Sequence, residues 1–161
     1  LFFIVAKIYI SCTNVLMDII ADTNIFLAIA LNEPKNEQII QRTSGVNVIA
    51  PEILPYEIGN ALSAMIKRKQ ITYDEAWSAQ KTATSIPVRL VGVDIQQSLI
   101  IAIDYNIYAY DAYFFRCAIY LKKPLMTLDK RLQKVADKFN IQVLTRKFLP
   151  IQKLVKTLPK S

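Results

Sequence analysis

Asp18-Ile19-Ile20-Ala21-Asp22-Thr23-Asn24-Ile25-Phe26-Leu27 is the stretch that decides the fold. Its apolar run, Ile19 to Ala21, is short enough for a buried strand and too short for a core helix. Asp22, Thr23 and Asn24 then favour a turn or a cap, because their side chains bond nearby backbone N–H groups. Apolar residues resume at Ile25, Phe26 and Ile29 with the spacing of a helix. A carboxylate at the carboxyl end of a buried strand lies where open α/β sheets bind their ligands. Asp22 is therefore the first candidate residue of an active site.

Downstream, strand and helix patterns alternate. A polar turn over Asn32 to Asn36 with Pro34 leads into a short helix over Glu37 to Arg42, stopped by Gly45. Val46 to Ala50 is a second strand ended by Pro51. Glu52 to Lys69 is a long helix whose stripe is Ile58, Ala61, Leu62, Met65 and Ile66. Thr72 with Glu75 forms a capping box for a helix to about Ser85. Val88 to Val93 is a third strand, and Asp94 caps a helix through Ile95 to Tyr105. Asp111 falls in the first turn of another apolar helix, which Lys122, Lys123 and Pro124 end with charges suited to its negative pole. Leu125 to Leu128 is a fourth strand, followed by Asp129 and a helix to Asn140; Ile141 to Leu144 is a short fifth strand. This alternation implies an α/β fold with a mostly parallel sheet covered on both faces.

Composition narrows the chemistry. A chain of 161 residues, 53% apolar and 20% charged, is long enough to bury one proper core. With three glycines, no Gly-rich phosphate loop can be built. With no histidine, a Ser-His-Asp triad, a His-liganded zinc and histidine acid–base catalysis are all excluded. Two cysteines, Cys12 and Cys117, make no disulfide framework and fit a reducing cytoplasm. The formal charge of +7 is concentrated in the last residues, where Arg146, Lys147, Lys153, Lys156 and Lys160 occur without an acid. Removing those five from the 20 Lys and Arg leaves 15 against 13 acids, a nearly neutral body. Such a tail suits phosphate backbones; a solvated end kept soluble by lysines is an equally good reading.

Residues 1–16 are apolar and β-branched, yet fall short of the roughly 20 residues that span a bilayer. They lack the basic start and small-residue cleavage site of a secretory signal. With Met17 directly before the key strand, the expectation is that translation starts there and that 1–16 is an upstream extension. The domain would then be 17–145, followed by a basic tail over 146–161.

Four acids stand at element ends or beside an apolar stripe: Asp22, Glu57, Asp111 and Asp129. Each has a plainer reading. Asp22 and Asp129 suit helix caps, Asp111 suits a helix dipole, and Glu57 suits a solvated helix face. Taken together they suggest more, because burying several acids is costly unless a cation neutralises them. Oxygen ligands without His or Cys point to Mg²⁺ or Mn²⁺. An ion so held lowers the pKa of a water and steadies a phosphate under in-line attack.

Four segments carry a recognisable likeness: Ile20-Ala21-Asp22-Thr23-Asn24-Ile25-Phe26, Pro55-Tyr56-Glu57-Ile58-Gly59-Asn60-Ala61-Leu62, Tyr110-Asp111-Ala112-Tyr113-Phe114, and Leu125-Met126-Thr127-Leu128-Asp129-Lys130-Arg131-Leu132. In order and spacing they resemble the four signature regions of PIN domains, with the likeness running from Met17 to Leu144. The chain is most similar to the VapC-type toxin ribonucleases of toxin–antitoxin pairs. The resemblance implies a PIN-like three-layer α/β/α sandwich, Mg²⁺ or Mn²⁺ dependence, and endonucleolytic cleavage of RNA leaving a 5′-phosphate and a 3′-hydroxyl. It assigns Asp22, Glu57, Asp111 and Asp129 as catalytic and metal-binding residues, with Thr23 and Thr127 in support. Some members carry a further acid or Asn after the fourth region; here Gln133 and Lys134 follow. The implied partners are an RNA substrate, a small antitoxin and a second copy of the chain, in the cytoplasm and away from membranes.

Two other functions fit parts of the pattern. A non-catalytic RNA-binding or protein-interaction module would keep the fold without turnover. A phosphatase-like hydrolase with Asp22 as nucleophile would want an acid two residues on, where this chain has Asn24. Among the remaining features, Tyr105, Tyr108, Tyr110 and Tyr113 suit either base stacking or a core and dimer surface. Tyr113 to Tyr120 offers an apolar dimer surface. Lys67, Arg68 and Lys69 suit a solvated helix end, while Trp77 and Cys117 suit core packing.

Overall fold

Ile19, Ile20 and Ala21 are fully buried and form the heart of strand β1 (Met17–Ala21), the central strand of the sheet. The computed structural model describes residues 17–32, 36–43 and 45–144. The expected extension over 1–16, the basic tail over 146–161 and Pro34 lie outside the described residues. After β1 come helices α1 (Thr23–Ala30) and α2 (Asn36–Thr43), strand β2 (Val46–Pro51), and helices α3 (Leu54–Lys67) and α4 (Tyr73–Ser85). Strand β3 (Arg89–Val91) leads to α5 (Ile95–Asp104) and α6 (Ala109–Leu121). Strand β4 (Leu125–Met126), helix α7 (Lys130–Lys138) and strand β5 (Val143–Leu144) complete the order.

All strand pairs are parallel and the order is β3-β2-β1-β4-β5. Ile20 pairs with Ile49 on one side and Leu125 on the other, so β1 has neighbours at both edges. A strand enclosed in this way is buried on both faces, which is why it reads as an unbroken apolar run. Right-handed crossovers place α1 to α4 on one face and α5 to α7 on the other. The contacts agree: α4 packs on α1 and α3, while α6 packs on α5 and on β1, β2 and β4. Phe139, at the end of α7, joins the second layer against Tyr105 and Phe115. This is the expected three-layer α/β/α sandwich. The strand order reverses between β1 and β4, and the crevice at such a switch point is where the carboxyl ends of these strands lie.

Local chemistry sets the element ends. Gly45 adopts a φ of 79° after α2, a left-handed conformation that costs glycine little. Pro55 sits in the first turn of α3, where its missing N–H costs no helical bond, so α3 begins at Leu54 rather than Glu52. The Thr72–Glu75 capping box is complete: Thr72 N–H donates to Glu75 Oε2 at 2.7 Å and Glu75 N–H to Thr72 Oγ1 at 3.2 Å. Asp94 caps α5 by accepting the Gln97 N–H at 3.0 Å. The later strands are shorter than their apolar runs; β4 stops at Met126 because the chain then turns to present Thr127 and Asp129.

Two surface expectations are overturned. Tyr113 to Tyr120 is not an outer face: Phe114, Phe115, Cys117 and Ala118 are core, leaving Tyr120 exposed. Trp77 is not packed inside; it is 66% exposed and stacks on Tyr73 with ring centroids 6.3 Å apart. The exposed apolar face lies instead on α5, where Ile95, Leu99 and Ile103 recur every fourth residue beside Ile100. Cys117 is the expected core residue, and burial pushes its thiol up to about 11. Among the described residues no helix is long and apolar enough to cross a membrane.

The core assignment on α6 has a direct check. Phe114→Ala is expected to lower unfolding free energy by about 3–5 kcal/mol, and Tyr120→Ala by less than about 0.5 kcal/mol. Urea unfolding followed by circular dichroism measures both.

Candidate active site

The four acids come from four elements that all begin at the carboxyl edge of the sheet. Asp22 ends β1, Glu57 lies in the first turn of α3, Asp111 in the first turn of α6, and Asp129 precedes α7. In a parallel sheet the helices run back against the strands, so their N-termini gather at this one edge.

Asp22 settles its two readings by geometry. It occupies the position before α1 with extended backbone, yet its side chain makes no cap bond. Its Oδ2 instead accepts the Thr127 hydroxyl at 2.7 Å and the Asn24 amide at 3.0 Å. The carboxyl is only 2% exposed, and burial raises its pKa against these stabilising hydrogen bonds. Asp129 behaves in the opposite way. Its Oδ1 caps α7, accepting the Arg131 and Leu132 N–H groups at 2.6 and 3.3 Å. It is thus both a cap and a member of the cluster, since its charge also raises Asp22 and Asp111.

Glu57 accepts the hydroxyl of buried Thr23 through Oε2. Burial, with the charges of Asp22 and Asp111 behind it, raises Glu57 to about 7. Asp111 is raised to about 6, first by burial and then by Asp22 and Asp129; Arg131 and the Tyr108 N–H oppose the shift. Each of these carboxyls feels others of the set, so the fold brings all four into one electrostatic cluster. Thr23 and Thr127 hydrogen-bond Glu57 and Asp22 respectively.

Two supporting residues escaped sequence reasoning. Asn24 donates to Asp22, and Gln133 Nε2 donates to the Thr127 carbonyl at 3.3 Å, steadying the turn after β4. The amide two residues after Asp22 was a usable signal for the first. Nothing in sequence spacing marked the second. A separate groove of about 490 Å³ lies between β3 and α6, lined by Arg89, Arg116, Cys117 and Tyr120 among others. It includes none of the four acids.

The donor set is all oxygen and its members repel one another, which suits a hard divalent cation. Among the described residues, however, no three carboxyl or thiol side chains stand close enough to hold one ion. The arrangement therefore fits an ion that keeps several waters and takes one or two carboxylates, the usual mode of Mg²⁺. It does not form a closed protein cage.

A parallel α/β sandwich with an acidic cluster at its switch point defines the class of fold and site. The PIN domain family model matches residues 19–138, and the chain belongs to that family. No curated protein matches the sequence. Among solved structures, PAE2754 from Pyrobaculum aerophilum is similar with a TM-score of 0.63 at 17% identity, covering 86% of this chain and 90% of that one. VapBC2 from Rickettsia felis, bound to a promoter DNA fragment, gives a TM-score of 0.56 at 14% identity over 80% of this chain and 98% of that one. FitAB bound to an IR36 DNA fragment gives 0.56 at 18% identity over 81% and 96%. At these identities the likeness is one of fold.

The raised carboxyls make stability pH-dependent. In unfolded chain Glu57 and Asp111 ionise near 4.5 and 3.8, whereas the folded protein keeps them protonated up to about 7 and 6. Over that interval the folded state binds more protons, so stability is fullest below pH 4 at these groups and is lost as pH rises. Without divalent ions, the midpoint of thermal unfolding is expected to fall between pH 5 and about pH 8. Glu57→Gln is expected to flatten that fall, which differential scanning fluorimetry across pH measures.

Proposed function

We propose that this PIN domain is a divalent-metal-dependent endoribonuclease, the toxin of a toxin–antitoxin pair acting in the cytoplasm. The observation that carries the reading is the buried Asp22 carboxyl. It is held by Thr127 and Asn24 instead of capping its helix, and shares one field with Glu57, Asp111 and Asp129.

Asp22 and Asp111 would hold Mg²⁺ or Mn²⁺, with Glu57 and Asp129 completing the ligand and water-orienting set. When bound, the ion supplies charge for the phosphodiester and acidity for the attacking water. Glu57, fixed by Thr23 and raised to about 7, is tuned to take up a proton near neutral pH. Asp129 spends Oδ1 on the α7 amides, which leaves Oδ2 for the proposed ion. The domain performing this chemistry is taken as 17–145, with 1–16 as an extension and 146–161 as a tail whose basic composition suits phosphates.

The solved VapBC2 and FitAB, whose folds this chain shares, support a small antitoxin as partner. A second copy of the chain is the other partner proposed, and the exposed Ile95, Leu99, Ile100 and Ile103 face on α5 supports it. One observation favours the rival reading of a non-catalytic RNA-binding or protein-interaction module: no three acids gather around one ion position among the described residues.

Purified protein with Mn²⁺ is expected to cleave single-stranded RNA, and EDTA to stop it. Asp22→Asn with Asp111→Asn is expected to lose at least about 100-fold in rate. Cleavage insensitive to EDTA, or equal rates for the double variant, overturns the mechanism; RNA retained without turnover supports the binding module. Leu99→Glu with Ile103→Glu is expected to turn a dimer into a monomer in analytical ultracentrifugation.

A further inference from the structure

Beside the acids stands an aromatic ring that the fold leaves in the open. Tyr108 is 74% exposed although it immediately precedes α6, three residues before Asp111. Its position is not loose. The Tyr108 carbonyl accepts the Ala112 N–H at 3.0 Å, which ties the residue to the start of α6. Neighbouring Ile107 is buried and anchors the other side of the turn. The Arg131 guanidinium lies over the Tyr108 ring, 5.9 Å from its centroid, and also donates to the Asn106 carbonyl. Arg131 is tied in turn by its own N–H to Asp129 Oδ1 at 2.6 Å. Arg131 is therefore fastened through the main chain to Asp129, and Tyr108 stands at the start of the helix that carries Asp111.

What sets this tyrosine apart from other exposed rings is its place, three residues before Asp111 with a guanidinium over it. At 74% exposure, and with the cation over it, the ring still has surface to offer a flat partner. Single-stranded nucleic acids are bound in this manner, by stacking bases on aromatic rings next to cations that meet the backbone. The cation also sits where the site lacks positive charge of its own, at the rim of a cluster of four carboxyls.

We infer that Tyr108 and Arg131 form a nucleotide subsite flanking the acidic cluster, in which one RNA base stacks on the exposed ring of Tyr108 and Arg131 meets the adjoining phosphate. This inference rests on the ribonuclease reading and names where that substrate is gripped. It makes Tyr108 a base-stacking residue and predicts tolerance of base identity, because every base offers a π face. One ring and one cation, held beside Asp111 and Asp129, would set which phosphodiester is presented to the acids.

The test uses the full chain and a fluorescein-labelled single-stranded RNA octamer. Binding is read by anisotropy in EDTA, and turnover separately with Mn²⁺. Tyr108→Ala is expected to weaken binding about 5- to 100-fold, and to raise KM by a similar factor with kcat little changed. Tyr108→Phe is expected to bind like the natural chain. An octamer carrying one abasic nucleotide next to the cleaved bond is expected to lose affinity for the natural chain, with no further loss for Tyr108→Ala. Arg131→Ala is expected to weaken binding and reduce its salt dependence, with the fold checked by circular dichroism. Unchanged affinity of Tyr108→Ala, or losses from the abasic RNA and Tyr108→Ala that simply multiply, overturns the subsite. RNA binding that follows these rules without Mn²⁺-dependent cleavage would sink the nuclease reading and leave the subsite standing.

Discussion

The hydrogen bond from Thr127 to Asp22 joins residues 105 positions apart and closes the site across two adjacent strand ends. A carboxyl as buried as Asp22 is costly unless its oxygens are satisfied. Thr127 can satisfy it only if β4 lies directly beside β1, and the Asp22 N–H bond to the Met126 carbonyl at 2.9 Å fixes that register. The crossover that brings β4 back past β2 to β1 and the polar geometry of the site are thus one constraint. A slip of one residue would turn Thr127 away from Asp22 and expose an unpaired acid to the core.

The cluster gathers negative charge, and the fold offsets part of it before any ligand arrives. Asp22 and Asp129 precede helices, while Glu57 and Asp111 lie in first turns, so four helix N-termini face the four acids. Each such terminus favours an anion by about 0.3–1 kcal/mol. The offset is incomplete, since Glu57 and Asp111 remain raised to about 7 and 6. What remains is a demand for positive charge at one edge of an otherwise nearly neutral body. A cation answers it directly, and the same N-termini that tolerate carboxylates also tolerate phosphate.

The parts of this design that follow one-dimensional patterns were legible in the sequence. Ile19 to Ala21, the stripe through Ile58 and Leu62, and the Thr72–Glu75 box each announce themselves by local spacing. The four acids were legible because each interrupts or borders an apolar run. What escaped depended on encounters distant along the chain. Trp77 reads as core by its residue type, yet α4 lies in an outer layer and turns that side to solvent. Tyr113 to Tyr120 reads as apolar surface because α6 crosses three strands beneath α5 and buries most of its residues, leaving only a narrow outer strip at Tyr120 to orient it. Gln133 acts through a turn whose existence depends on β4 ending at Met126, a boundary the apolar run through Leu128 conceals.

The difference between a nuclease and a silent relative of the same fold rests on how the acids are held. Acids kept only for structure would settle into caps, as Asp129 partly does through Oδ1. Asp22 forgoes its cap although it stands in the right place, and Glu57 turns inward to Thr23 although solvent lies within reach of α3. Both arrangements raise the cost of the folded state, first through burial and then through repulsion by neighbouring acids. Replacing either acid by its amide would relieve that cost without disturbing a cap. A residue whose removal relieves strain in the empty protein is stabilising only when something of opposite charge is bound beside it. That balance of costs is the physical basis for proposing that these acids serve a cation.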